Sequence, residues 1–399
     1  MKLPELSPQL LSLDGYATKA MAEKARGVPG VINLAFGEPA FGPPISSKQA
    51  IEETDLNWGA FLDASKRYES NRGMPELRAA IADYYARRYD LRVDPETEIL
   101  ITHGGVEAIS LAALVTTDPG EQVLITDPSY MLYSRALQTL GRQPGCVSRR
   151  ITEHEYESAP EWAIEGPAKA LIVNSPENPS GYVLSDADFA GLAGFVEKND
   201  LWLIHDEVYD SMAFARPHKP ARTIPALKDR SILINSFSKK YGVPGLRIGW
   251  MCAPAPVIDL AAKLHDYMYL GVNILSERIA LRLISDTVAD KWMDDTSDLL
   301  GHRAARLIDT LTADKGFTWK RNPHGSMFAF PDVTALAARL GGAQPEGPGR
   351  AVADWLLDTH KIATIPGFVY GPTSASSLRM ILCCDDETFD RGLAALSAI

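Results

Sequence analysis

From about Glu98 to Pro254 the chain alternates short apolar runs with longer stretches whose apolar positions recur at helical spacing. The runs are EILIT (98–102), QVLIT (122–126), ALIVN (170–174), LWLIH (201–205), SILIN (231–235) and RIGWMCA (247–253). None shows the apolar–polar alternation of a strand with one wet face, so each is predicted to be a central strand covered on both faces. Between them, VEAISLAALV (106–115) and DADFAGLAGFVEK (186–198) predict helices. Elements in this order imply α/β layers around a mainly parallel sheet.

After about residue 285 the texture changes. A long helical segment (290–314) leads to TWKRNPHGSMFAFPDV (318–333), which predicts two short strands around a turn. A helix over 349–361 and a strand within SSLRMILCC (376–384) follow, and GGAQPEGPG (341–349) is the clearest loop. At the other end, ATKAMAEKARG (17–27) predicts a helix and VINLAFG (31–37) a strand. The expected division is an N-terminal segment, 1–45, packing with a small α+β domain at 286–399, and a large domain at 46–285.

Chemically distinctive residues follow the apolar runs directly: Gly104-Gly105, Asp127 to Tyr130, Asn178, Asp206 with Tyr209, and Ser236 to Lys239. Ligands of open α/β sheets bind outside the carboxyl ends of the strands. Five loops meeting at one edge predict a single site.

Composition narrows the partners. The formal charge is 40 − 51 = −11, with no long basic run, which argues against nucleic acid and anionic membrane surfaces. The four cysteines, Cys146, Cys252, Cys383 and Cys384, show neither a CxxC pair nor zinc-ligand spacing. They are expected to be small buried residues of a reducing compartment, and no metal site is expected. MKLPELSPQL lacks a basic region followed by an apolar core, and no apolar stretch approaches the ~20 residues of a membrane-spanning helix. A soluble, cytoplasmic protein is expected.

The most informative segment is SFSKKYGVPGLRIGW, residues 236–250. It sets a lysine beside two serine hydroxyls and a Gly-rich turn, with Arg247 eight residues on. A lysine amine forms imines with carbonyl cofactors. Ser236, Ser238 and Arg247 have the chemistry to grip a phosphate. Elsewhere, THGGVEAI (102–109) puts two glycines before a helix, where backbone N–H groups can approach an anion, although an ordinary tight turn looks the same. Tyr130 in DPSYMLY can stack on a flat ring. Asp206 in HDEVYD could hold a protonated ring nitrogen or simply cap a helix.

Residues 236–249 match the lysine-attachment signature of class I/II aminotransferases, and the chain resembles that family, the fold-type I pyridoxal 5'-phosphate (PLP) enzymes of the aspartate aminotransferase superfamily, from LAFGEP near residue 35 to SSLRM near 379. The resemblance implies a large domain with a mainly parallel seven-stranded sheet, a smaller α+β domain and a homodimer. It implies PLP held as a Schiff base on Lys239, selected over Lys240. Gly105 and Val106 would hold the cofactor phosphate, with Ser236, Ser238 and Arg247. Tyr130 would stack on the ring and Asp206 would keep its nitrogen protonated. Tyr209 and Asn178 would bond the 3'-oxygen, Asn178 from NSPENPSG (174–181), where Ser180 replaces the usual threonine. Tyr68, in RYESNRGMPELRAAI (67–81), would cross to the partner's phosphate. Arg379 would clamp the substrate carboxylate, under a loop containing Gly37. Tyr133 is expected to be packing, His103 structural, and His205 has no assigned role.

The expected reaction is transfer of the amino group of an L-amino acid to a 2-oxo acid. The same scaffold supports cyclases, β- or γ-eliminating enzymes and amino-acid oxidases, which start from the same proton abstraction. Departures from the usual pattern gather around the substrate mouth, at residues 42–67, near Tyr16, and at Gly105, where a hydroxyl is common. The substrate side chain is therefore not legible.

Overall fold

A computed structural model of the chain describes residues 6–11, 13, 15, 21, 23–25, 27–44, 59, 62–63, 65–66, 68–148, 166–341 and 344–399. Tyr16, much of the helix expected over 17–27 and most of 45–67 lie outside them.

After a two-residue strand β1 (Ile32–Asn33), the apolar runs form β2 (Ile99–Thr102) and β3 (Gln122–Asp127). The next strand is β4 (Gln143–Ser148), and the remaining runs give β5 (Ala168–Asn174), β6 (Trp202–Asp206), β7 (Ser231–Ser236) and β8 (Gly249–Cys252). Seven of these form one sheet in the order β2-β8-β7-β6-β5-β3-β4, parallel except for β8, which runs against both neighbours. Strand β2, expected from EILIT to be central, lies at an edge, with all four of its residues nonetheless buried. No apolar run announces β4. Its sequence, QPGCVS, belongs to an edge strand, where Pro144 need not donate to a second neighbour. Cys146 on this edge is exposed, contrary to the expectation that all four cysteines are buried; all four are unpaired.

The unbroken apolar runs reflect two covered faces. Leu203 and Leu233 enter a core with helices α1 (Pro75–Tyr89), α4 (Asp186–Lys198) and α7 (Ile274–Ser285). Their neighbours Ile204, Ile232 and Ile234 point the other way, into a core with α2 (Gly105–Thr116), α3 (Leu132–Thr139) and α6 (Ala255–Tyr269). Each such side chain, fully buried, contributes about 1.5–3 kcal/mol. Helix α4 starts where its sequence indicates: the Ser185 hydroxyl accepts the Asp188 N–H, and the Asp188 carboxylate accepts the Ser185 N–H. The helical turn α5 (Phe237–Lys240) follows β7 directly.

Beyond the sheet, α8 (Thr287–Thr310), α9 (Thr334–Leu340), α10 (Pro348–His360) and α11 (Asp386–Ser397) pack around another core with β9 (Phe328–Ala329), β10 (Ile362–Ala363), β11 (Ile365–Pro366) and β12 (Leu378–Ile381). Strands β11-β12-β9 form an antiparallel sheet. Of the two strands expected over 318–333, the first is reduced to a bridge between Thr318 and Asp332. Its limb contains Pro323, which has no N–H to extend a ladder. Strand β1 pairs in parallel with β10, and Ile381 N–H donates to Leu34 O at 3.0 Å. These bonds carry Ala35 to Gly37 alongside Arg379. Among the described residues no helix is long and apolar enough to cross a membrane.

Candidate active site

A cavity of about 530 Å³ gathers the loops that follow β2, β3, β5, β6 and β7, together with Gly37, Phe328 and Arg379 from the C-terminal sheet region. Every site residue expected from the sequence lines it except Tyr68. The topology explains the convergence. Parallel strands deliver their following loops to one edge, and antiparallel β8 delivers the preceding Arg247 to the same edge.

Asp206 ends β6 and is almost wholly buried. Its Oδ2 accepts the Tyr133 hydroxyl at 2.5 Å and its Oδ1 the Val208 N–H at 3.2 Å. Both donors are neutral. Burial pushes the carboxyl up to about 6, against these two bonds. A carboxylate so placed gains from a cation brought to it. Tyr133, read from the sequence as packing, also lines the cavity and orients this carboxylate. Its spacing from Tyr130 gave no cue, because the partner lies 73 residues away.

Lys239 sits across the cavity, its amine donating to Gly37 O at 2.8 Å. Burial holds that amine below the usual lysine range, which favours the unprotonated, nucleophilic form. A side chain at residue 37 would bring its Cβ within 2.9 Å of the Phe328 ring, so the close approach requires glycine. Lys240 is entirely buried outside the cavity, its amine 2.9 Å from Asp210.

Arg379 rises from β12, 4% exposed, between the Phe328 and Tyr370 rings at 4.4 and 5.2 Å. It donates to Asn178 Oδ1 at 3.2 Å and Ala35 O at 2.7 Å, while its buried Nε has no partner. An orphaned guanidinium N–H in a cavity suits an incoming carboxylate. Asn178 is fixed by its own N–H, which donates to Asn174 Oδ1 at 2.7 Å, and its side chain hydrogen-bonds Tyr209. The Tyr209 phenol is pushed up by burial and by Asp206.

At the other end, Gly105 and Val106 open the twelve-residue helix α2, whose first N–H groups have no partner within the helix. Gly104 has φ +78°, and a Cβ there would fall 2.7 Å from the Arg247 guanidinium. Ser236 and Ser238 hydroxyls lie 2.9 Å apart beside this loop. Arg247 donates to Pro244 O and His103 O. The group forms an anion cradle.

Tyr68 is not brought to this cavity. It is 81% exposed and lines a separate surface hollow with Tyr269 and Leu270. Neither His103 nor His205 lines the cavity. The His103 ring packs against Tyr269, and His205 points to the opposite face of the sheet from Asp206, where its Nδ1 accepts the Ala221 N–H.

The signature described as aminotransferase class I and II matches residues 29–396. The chain belongs to that family. It is 26% identical to a putative aminotransferase, YugH, of Bacillus subtilis, over 98% of this chain and 97% of that one. It is 29% identical to an aspartate aminotransferase of Streptomyces avermitilis, over 96% and 91%. The solved structure of N-succinyldiaminopimelate aminotransferase from Mycobacterium tuberculosis superposes with a TM-score of 0.83 at 27% identity, covering 99% of this chain and all of the other. The fold is fold-type I, and the protein is a PLP-dependent aminotransferase. Its relatives are named for amino transfer, among them an arginine–pyruvate transaminase of Pseudomonas aeruginosa, 28% identical over 95% of this chain and 93% of that one.

The site fits the cofactor. A buried carboxylate with only neutral partners faces the cavity, together with a glycine-rich helix N-terminus, two hydroxyls, a guanidinium and a lysine amine.

Proposed function

We propose that Lys239 holds PLP covalently and that Lys239, Asp206 and Arg379 carry amino transfer from an L-amino acid to a 2-oxo acid. The observation that supports it most is the meeting of these three groups in one cavity: an amine that burial holds towards its neutral form, a buried carboxylate with only neutral donors, and a guanidinium whose Nε has no partner. Bound PLP contributes an electrophilic carbon and, protonated on its ring nitrogen, a sink for electrons. Asp206 keeps that nitrogen charged, with Tyr133 fixing the carboxylate. Gly105, Val106, Ser236, Ser238 and Arg247 grip the phosphate. Tyr130 would stack on the ring, and Asn178 and Tyr209 would bond the oxygen it carries. Arg379 would bind the substrate carboxylate near Gly37, and the Lys239 amine would move the proton at the substrate α-carbon. The test gives the amino acid alone and then with a 2-oxo acid. Alone, it should yield one equivalent of 2-oxo product per site and stop. Repeated turnover without an acceptor would reject the proposal.

The substrate's side chain meets acid. Glu23 and Glu38 both line the cavity, outside the groups assigned to cofactor and carboxylate. Amino donors with neutral or cationic side chains are therefore expected to exceed aspartate in kcat/KM by about tenfold, the equivalent of one modest charge interaction. With pyruvate as acceptor, a preference for aspartate would overturn this expectation.

The division into an N-terminal segment (1–45), a large domain (46–285) and a small domain (286–399) is supported by a core that joins Ile32 and Leu34 to residues 300–396, apart from the cores of the sheet; the boundary near 285 is blurred, because Ala289 and Met293 pack in a sheet core and Tyr209 and Met212 in the C-terminal one. Four unpaired cysteines support a reducing, cytoplasmic location. A homodimer is supported by exposed Tyr68 and by the exposed Tyr269 and Leu270 that line the same hollow. Such a dimer should bury roughly 2,000 Å² or more. Sedimentation should give a dimer, and Tyr68→Phe should keep it while loosening the cofactor several-fold; a fully active monomer would refute the assembly.

A further inference from the structure

On the side of the sheet edge away from the cavity, two turns are joined by charges that solvent does not reach. The residues after β6, Glu207 to Asp210, and the turn α5 after β7 each end in one member of an ion pair. The Lys240 ammonium lies 2.9 Å from Asp210 Oδ1 and donates to Oδ2 at 3.0 Å, with both side chains wholly buried. Helix α1 supplies the surroundings: the Tyr84 and Tyr89 hydroxyls donate to Asp210 at 2.8 and 3.0 Å. Lys240 also donates to the Tyr84 hydroxyl at 3.2 Å and lies 4.3 and 4.7 Å over the Tyr84 and Trp250 rings.

Stability does not explain such a pair. Removing two charges from water costs so much that apolar residues of similar volume often serve as well or better. What a buried pair tied in by further hydrogen bonds provides is a fixed geometry. Here the sequence gives that geometry a use, because each charged residue directly follows one that lines the cavity. Lys239 precedes Lys240, and Tyr209 precedes Asp210. A shift between the two turns would move the Lys239 amine relative to Tyr209 and to Gly37 O, its present acceptor.

We propose that the Lys240–Asp210 pair positions Lys239 against Tyr209, so that both members of the pair are positioning residues for the reaction. This rests on the roles given above to Lys239 and Tyr209. It assigns work to the second lysine of SFSKK, which the attachment of a cofactor leaves unused.

The test is the double variant Asp210→Asn/Lys240→Met, which keeps volume and removes both charges. Single substitutions leave one charge buried alone and are expected to unfold readily; the double variant is expected to melt near the wild-type temperature. In the cofactor-free protein, acylation of lysines followed across pH by mass mapping reads the Lys239 amine directly. Once the register loosens, its pKa is expected to rise by about one unit towards the ordinary lysine value as the amine regains water. The groups that act on Lys239 from neighbouring elements, Cys383, Arg379, Glu38 and Arg247, are unchanged in this variant. In the loaded enzyme kcat should fall about 10- to 100-fold with KM nearly constant, and the isotope effect of an α-deuterated donor should increase, since misplacement penalises the proton transfer itself. A folded double variant with wild-type Lys239 titration and isotope effect would reduce the pair to packing and overturn the proposal. Should the double variant not fold, Tyr84→Phe/Tyr89→Phe, which strips two donors from Asp210, must raise the Lys239 pKa in the same direction or the proposal fails. Absence of amino transfer by the wild type would instead reject the functional reading, while the cofactor-free titration would still judge the pair.

Discussion

Lys239→Ala is expected to lower kcat by roughly 10⁴-fold or more, because one change removes both the covalent attachment and the amine that moves the proton. The fold should survive. The amine makes one hydrogen bond, to Gly37 O, and its burial opposes the charge it would otherwise carry, so truncation removes a cost together with a contact. The melting temperature of the cofactor-free variant should therefore lie within about 5 °C of wild type. Borohydride reduction of the wild type, followed by peptide mapping, should leave the cofactor on Lys239 alone. Lys240, 0% exposed and saturated by Asp210 and Tyr84, is not free to compete. Label on any other lysine would overturn the assignment.

What the sequence revealed and what it hid follow from one distinction. Strands covered on both faces must be apolar throughout, so β2, β3, β5, β6, β7 and β8 announced themselves, and the residues after them announced the site. Edge position alone does not decide this: β2 has one neighbour too but is buried at all four positions, whereas edge strand β4 leaves Gln143 and Cys146 exposed, and QPGCVS carried no signal. The Lys239 neighbourhood was legible because its residues are contiguous: hydroxyls, amine, turn and guanidinium occur within one segment. Gly37 and Arg379 meet only through β1 pairing with β10 and Leu34 bonding Ile381, and a resemblance was needed to connect them.

Groups that act through a partner distant in sequence left no trace. Tyr133 followed Tyr130 on what reads as an ordinary helix start, and only the folded chain sets its hydroxyl on Asp206. The buried Lys240–Asp210–Tyr84–Tyr89 group joins three elements, and each residue alone reads as surface charge or core aromatic. His205 looked poised for chemistry beside Asp206, yet strand alternation sends it to the opposite face. There burial drops its pKa to about 4 and keeps it neutral.

Asp206 should show function and stability in opposition. Its pKa of about 6 in the fold lies above the ordinary value of 3.8, because burial penalises the charged form. Between those pH values the folded, cofactor-free protein binds more protons than the unfolded chain, so stability falls as pH rises through the window. Above about pH 6 the full cost is present, on the order of 3 kcal/mol; below about pH 4 it is absent. Asp206→Asn removes the charge but turns an amide N–H toward one of the two donors, Tyr133 or Val208, at a cost of about 1 kcal/mol that does not depend on pH. The expected signature is thus a difference that changes with pH: relative to wild type, the cofactor-free variant gains stability between pH 4 and pH 7. A pH-independent difference would reject the electrostatic account. Catalysis should move the other way. Without the carboxylate, nothing holds the proton on the ring nitrogen, and Asp206→Ala should slow loss of α-deuterium from the substrate by roughly 10²–10³-fold, as for other preorganised electrostatic groups. Asp206→Glu, which keeps the charge, should retain part of the rate. Near-normal exchange in the alanine variant would remove Asp206 from the mechanism.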